Sequence, residues 1–334
     1  MRPFLLLLLI ATTTAFGADV SELRIYELGK PGADKLSDLP ARYAEAMDMG
    51  YTAEMPNPVF RLSNLAFLPE GRRERLDLYV QYARDLKVHR PGVLFIHGGG
   101  FTGGDKAEYR SASVSADLAR AGYVVVSCNY VLGPKNKEGV WPRNIADCRD
   151  AVRWMRANAD ALGLDPNRIA VAGGSAGGYL ALMVGLSDDK TGPGGNPAAK
   201  VSAKVSAVID MYGVVNFSKH GRGDVVGATA AEQKAYLPEL QCDPQDPAVL
   251  ILHGTADTTV DIAQSDAMAK ALRAARVSHE YVVVDGAPHT FDLHPKGKGW
   301  KRTGMFAGAE ANGSSESADV TAPTLDFLAR TIGK

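Results

Sequence analysis

The chain has 334 residues, with 37 Lys plus Arg against 38 Asp plus Glu, a formal charge of −1, and 46% hydrophobic residues. This composition excludes a disordered or low-complexity chain, and the near-zero charge leaves no electrostatic footprint for nucleic acid. The length fits about two domains or one large α/β domain, and a core of that size needs no disulfide or metal staple.

The first residues read as a leader. Arg2 supplies a positive start, Phe4 to Ala11 is an unbroken apolar run, and Ala15 and Gly17 fit the small positions before a signal-peptidase cut. Cleavage is expected after Gly17 or Ala18, with export to the periplasm or the medium. The run is shorter than the roughly 18 apolar residues of a spanning helix, so no stable membrane insertion is expected after the cut. No Cys stands near the cut, which argues against a lipid anchor.

Residues 19–60 are interrupted by Pro31, Pro40, Pro56 and Pro58, with one short helix expected over Ser37–Met49. They read as an N-terminal extension of a single domain covering residues 19–334. Residues 61–82 read as a hairpin turning at Pro69-Glu70-Gly71, with Leu76, Leu78, Val80 and Tyr82 on one strand face. From there apolar runs alternate with helices. Val93–Ile96, Val124–Val126, Ile169–Val171, Val205–Met211, Val249–Leu252 and Tyr281–Val284 are expected strands. Ser113–Ala121, Pro142–Ala161, Ala176–Leu186, Ile262–Ala275 and Ala322–Ile332 are expected helices. Continuous apolar strands alternating with helices mean a mostly parallel twisted α/β sheet covered on both faces. Three stretches break the alternation: a polar loop at 187–204, a small lid or cap insertion at 214–247, and a basic then Gly/Ser-rich excursion at 294–318.

Cys128, Cys148 and Cys242 are an odd set, so at least one thiol is unpaired, and a Cys128–Cys148 bridge stays open. With no CxxC, no HExxH and no clustered His/Cys pattern, no metal is expected.

The chemistry gathers where strands end. Gly173-Gly174-Ser175-Ala176-Gly177 follows one strand and opens a helix. Glycines on both sides let the backbone take a sharp turn that lifts the serine oxygen out of the sheet. His97-Gly98-Gly99-Gly100-Phe101 follows another strand and can present bare N–H groups to an oxyanion. Its rival reading is a dinucleotide loop, since residues 98–103 formally match GxGxxG. That reading wants an acid at the end of the next strand, where the chain has Ser127-Cys128-Asn129.

A serine needs a base, and the base an orienting carboxylate. Among seven His, His289 directly follows the last strand, with His294 as the alternative, while His253 reads as structural. Asp257 follows the strand Val249–Leu252, and Asp261 reads as a cap of the next helix. The candidates are therefore Ser175, Asp257 and His289, each just past the C-terminal end of a strand.

With HGGGF at 97–101, GGSAGG at 173–178, HGTAD at 253–257 and GAPHTF at 286–291, the chain resembles the α/β-hydrolases of the hormone-sensitive-lipase-like group. Within that group it is most similar to secreted carbohydrate esterases of the feruloyl and acetyl xylan type. Two departures stand out: Asn129-Tyr130-Val131 where the family often has Asp-Tyr-Arg, and Asp261 after Val260 where it often has Pro. The resemblance implies an α/β-hydrolase fold and a serine carboxylesterase without cofactor. Ser175 would attack, His289 would act as base, Asp257 would orient it, and the N–H groups of Gly99, Gly100 and Ala176 would form the oxyanion hole.

Phe101, Tyr130, Trp141, Tyr212 and residues 214–247 are candidates to line the substrate pocket. Trp300, in a basic loop, either stacks on a sugar or packs that loop down. Export and a short lid favour a small acyl group on a bulky polar alcohol such as a polysaccharide, and the resemblance implies acetyl or feruloyl esters. A serine exopeptidase and a non-catalytic binding protein remain as alternatives.

Overall fold

The computed structural model describes residues 25–27, 36, 59–81, 88–133, 140–217, 233–291, 301–305, 312–315 and 320–333. The leader, the expected helix Ser37–Met49, His294, Trp300 and residues 218–232 of the expected lid lie outside them.

The strands are β1 (Ile25–Glu27), β2 (Val59–Leu65), β3 (Leu76–Gln81), β4 (Arg90–Ile96), β5 (Val124–Cys128), β6 (Leu164–Gly174), β7 (Ala207–Met211), β8 (Ala248–Gly254), β9 (His279–Asp285), β10 (Lys301–Met305) and β11 (Asn312–Ser315). They form one sheet in the order β1-β2-β3-β5-β4-β6-β7-β8-β9-β10-β11. From β5 through β4, β6, β7 and β8 to β9 every pairing is parallel. The hairpin β2–β3 joins antiparallel through β5.

The helices between strands are α1 (Tyr109–Arg120), α2 (Arg143–Ala157), α3 (Ala159–Leu162), α4 (Ala176–Leu186), α5 (Ala263–Ala275) and α6 (Thr321–Thr331). Strand alternation splits the core in two. Leu94 and Ile96 of β4 pack with Ile145, Cys148 and Val152 of α2, Leu180 of α4 and Met268 and Leu272 of α5. Val93 and Phe95 pack on the opposite side with Ala112, Ala116 and Ala119 of α1 and Phe327 and Leu328 of α6. Successive side chains of a strand point to opposite faces, so an unbroken apolar run is what a sheet covered on both sides requires.

Three expectations need correction. The helix drawn as one piece over Pro142–Ala161 ends at Ala157 and restarts as the short α3. Asn158 sits at the break, and its side-chain amide donates to the Trp154 carbonyl at 2.8 Å, a local bond that competes with the helix ladder. The helix expected over Ser113–Ala121 is α1, which starts four residues earlier, at Tyr109, and ends at Arg120. The excursion at 294–318 is not all loop: β10 pairs antiparallel with β9, and β11 with β10. Neither segment has apolar alternation; backbone pairing on an existing strand edge builds both.

Cys128 and Cys148 are buried free thiols in one core cluster, and Cys242 is a half-buried free thiol.

Candidate active site

The parallel strands all end on one side, and the chemistry-bearing residues stand there. Ser175 is the single residue between β6 and α4, at φ 58° and ψ −121°. A non-glycine residue with positive φ is strained, and such strain is tolerated where the surroundings over-determine it. Here Ser175 N donates to the Met211 carbonyl at the end of β7 (2.9 Å), while Tyr179 N donates to the Ser175 carbonyl (3.1 Å). Gly177 lets α4 approach closely: a Cβ there would fall on the Ile96 carbonyl.

The glycine loop after β4 runs left-handed at Gly99, Gly100 and Phe101, with φ of 105°, 62° and 64°. It closes on itself through bonds from Thr102 N and Gly103 N to the Gly99 carbonyl. Its base is His97, fully buried and stacked on Tyr130 with ring centroids 4.4 Å apart. Burial pushes the His97 imidazole down to about 4, so it is a neutral prop.

The loop's exit is bolted to the sheet. Lys106 N donates to Asn129 Oδ1 and Asn129 Nδ2 to Asp105 Oδ2, both at 2.7 Å. Lys106 Nζ lies 3.0 Å from Asp77 Oδ1 in a buried ion pair. Asn129 therefore does two opposite jobs, accepting from one neighbour and donating to the next. An aspartate can do only the first.

Asp257 and His289 meet at 2.6 Å, Oδ2 to Nδ1, with the Asp257 side chain fully buried. Asp257 Oδ1 accepts from Thr259 N at 2.8 Å and Val260 N at 2.9 Å. His253 adds a contact of 3.3 Å from Nε2 to Oδ2. It is itself held by Ser265 Oγ and the Val260 carbonyl. Burial alone would raise the Asp257 carboxyl; bonds from His253, His289 and the Val260 amide outweigh it and hold the group well below the usual range. The carboxylate is thus charged at neutral pH against the His289 ring.

Ser175, His289, Gly98, Gly99, Gly100, Phe101 and Ala176 all line one cavity of about 700 Å³. So the structure gathers the candidate nucleophile, base and oxyanion donors around a common space, with Asp257 directly behind the base. Phe101 lines it as expected, and Val214 and Phe217 bring the start of the 214–247 segment to it.

Tyr130 and Tyr212 do not line it. Tyr130 is buried under the glycine loop, donating to the His97 carbonyl at 3.1 Å. Tyr212, also buried, packs its ring edge-on to His289 at 4.6 Å, with the Arg110 guanidinium 5.2 Å over its face. Both support the site from beneath. Trp141 stands behind Phe101, ring centroids 5.1 Å apart.

Glu108, Tyr109, Arg110, Thr259 and Thr290 also line the cavity and were not anticipated. The first three open α1. A helix beginning at Ser113 places these residues in a connecting loop; their position beyond the carboxyl end of β4, where ligands meet an α/β sheet, is the signal for them.

The family model BD-FAE matches residues 76–272, more than half of the chain. The chain belongs to the BD-FAE family. A probable carboxylic ester hydrolase, LipM, of Mycobacterium tuberculosis is 30% identical over 73% of this chain and 61% of its own length. Esterase LipC of the same organism is 30% identical over 61% of this chain and 53% of its own. The chain thus spans a little over half the length of these two relatives. Among solved structures, the apo form of Thermogutta terrifontis esterase 2 is 25% identical, with a TM-score of 0.62 over 80% of this chain and 91% of that one. A truncated carbohydrate esterase from gut microbiota is 21% identical, with a TM-score of 0.66 over 84% of this chain and 99% of that one, a likeness of fold. The architecture of this BD-FAE chain is accordingly that of an α/β hydrolase.

Proposed function

We propose that this BD-FAE protein is an exported serine carboxylesterase that cleaves short-acyl or carbohydrate-linked esters, acetyl or feruloyl, through an acyl-enzyme. One observation carries the reading. The strained Ser175 and His289, which Asp257 holds from behind at 2.6 Å, open into one cavity together with Gly99, Gly100 and Ala176. The esterase names of its relatives add support, and the leader-like run Phe4–Ala11 supports export.

In this mechanism His289 takes the Ser175 proton as Oγ attacks the ester carbonyl. The oxyanion that forms meets the N–H groups of Gly99, Gly100 and Ala176, and the start of α4 adds its positive end. Asp257 keeps Nδ1 protonated, so Nε2 is the free base, and it stabilises the imidazolium. His289 then protonates the leaving alcohol, and water, activated by the same ring, releases the acid.

A short acyl group is favoured by the wall of Phe101, Val214 and Phe217. Trp141 and Tyr179 close it from behind, with ring centroids 5.1 Å and 5.6 Å from Phe101. Such a wall matches an acetyl or a flat aromatic acyl group better than a long flexible chain.

The test is a rate profile of the mature protein on nitrophenyl esters from acetyl to palmitoyl, with Ser175→Ala alongside. A maximum at acetyl that vanishes in the variant is the expected result. Absence of any Ser175-dependent rate withdraws the reading. His289→Ala and His294→Ala, assayed together, decide the base: only the first should cost several orders of magnitude.

A further inference from the structure

We propose that Glu108 and Tyr109 form the subsite that holds the alcohol half of the ester and that these two side chains set its preference for a polyhydroxylated alcohol. The inference rests on the carbohydrate-esterase reading above and assigns further residues of the same cavity.

Glu108 and Tyr109 stand where α1 begins, and both line the cavity that holds Ser175. Among the described residues three large apolar side chains are well exposed: Val88, Tyr109 at 48% and Leu240. Of these, Tyr109 is in the cavity wall. An aromatic ring that is half wet at the mouth of a hydrolytic cavity presents a flat face and a phenol hydroxyl. The C–H face of a pyranose ring is the complementary surface: apolar on its flat side and polar around its edge.

Glu108 supplies the complementary acceptor. It occupies the cap position of α1 but makes no side-chain capping bond, and among the described residues its Oε1 takes only a long 3.4 Å contact from Ser111 Oγ. A carboxylate with lone pairs to spare can accept from two neighbouring hydroxyls at once. Thr102 and Thr290, lining the same cavity, carry hydroxyls that donate or accept.

The cavity is therefore lined by two kinds of residue. Phe101, Val214 and Phe217 are apolar and backed by an aromatic cluster. Glu108, Tyr109, Thr102 and Thr290 are polar or amphipathic; the first three come from the glycine loop and the start of α1, and Thr290 follows His289. An acyl group fits the first set. An aliphatic alcohol lying on the second would strip water from the Glu108 carboxylate without replacing its bonds, which costs energy; a polyhydroxylated one replaces them.

The experiment compares kcat/KM on an acetylated xylo-oligosaccharide with kcat/KM on p-nitrophenyl acetate for wild type, Tyr109→Ala, Tyr109→Trp and Glu108→Gln. In Tyr109→Ala the oligosaccharide-to-aryl ratio should fall about tenfold or more, through KM. Tyr109→Trp should recover most of it, and Glu108→Gln should lower it severalfold. A ratio that stays within twofold of wild type in Tyr109→Ala, or two substrates that lose rate in parallel, overturns the subsite. If wild type hydrolyses the aryl acetate and not the oligosaccharide, the saccharide assignment fails while the esterase stands. If it hydrolyses neither, the esterase reading itself has failed.

Discussion

The two oxygens of Asp257 divide their work. Oδ1 is committed to the amides of Thr259 and Val260, which fix the carboxylate in place; Oδ2 faces the His289 ring at 2.6 Å. Replacing one oxygen by an amide group leaves the shape and breaks this division. In Asp257→Asn the backbone amides keep their oxygen, so an NH2 group is turned toward His289, where it favours the tautomer with its proton on the wrong nitrogen. The variant should fold normally by circular dichroism and lose roughly three to four orders of magnitude in kcat on p-nitrophenyl acetate. At this scale the candidates Ser175, Asp257 and His289 were legible because each type stands in a short motif after an apolar run. Tyr130 and Tyr212 were misread as pocket residues for the converse reason. An aromatic next to a motif is just as well used as a support, and only its tertiary neighbours tell the two uses apart: Phe101 faces the cavity, whereas Tyr130 stacks on His97 and Tyr212 packs edge-on to His289.

Among elements, the junction of the glycine loop with β3 and β5 does the positioning. Asn129 joins Lys106 N and Asp105 Oδ2, while Asp77 and Lys106 Nζ pair in the interior. Asn129→Asp sets a second carboxylate where an amide now donates to Asp105. Loss of that bond plus like-charge repulsion should cost about 1–3 kcal/mol, read as a lower Tm, and should lower kcat/KM because the loop carries Gly99 and Gly100. An unchanged Tm at pH 8 contradicts this account. The strand–helix alternation behind this arrangement could be read from apolar runs alone. The strands β10 and β11 could not, because Lys301–Met305 and Asn312–Ser315 have no buried-face pattern and owe their state to the neighbouring strand.

For the whole molecule, one buried acid sets a pH dependence that no motif announces. Asp210, at the end of β7, is fully buried. Its Oδ1 accepts from Gly213 N at 2.9 Å, and its Oδ2 has no hydrogen-bond partner among the described residues. Burial raises its pKa from 3.8 to about 7, against the opposing pull of His253 and the Gly213 amide. Between those values the folded protein holds a proton that the unfolded chain has released. This group therefore makes stability fall as pH rises through that window, and the loss is complete above it. Asp210→Asn keeps an acceptor for Gly213 and carries no charge. Its stability relative to wild type should climb between about pH 4 and pH 7, by an amount on the order of 4 kcal/mol, and stay level above. Urea unfolding of both proteins at pH 4.5, 6 and 8 measures the difference; a gap that does not change with pH removes Asp210 from the account.

Local order along the chain was enough to determine the parallel α/β core, the sharp turn at Ser175, the glycine loop at 97–101 and the sequence Ser175, Asp257, His289. Each depends on residues close together in the chain: apolar period, glycine permissiveness, a polar group after a strand. What packs from afar was decided by the tertiary structure. Glu108 and Tyr109 reach the cavity of Ser175 only because β4 and β6 pair in parallel and end at the same level. Asn129 finds Asp105 across 24 residues, and the pKa of Asp210 follows from the dry junction of β7, α4 and β8 around it. Spacing along a chain sets what a residue can do locally, whereas burial and partners come from elements that meet only when the sheet closes.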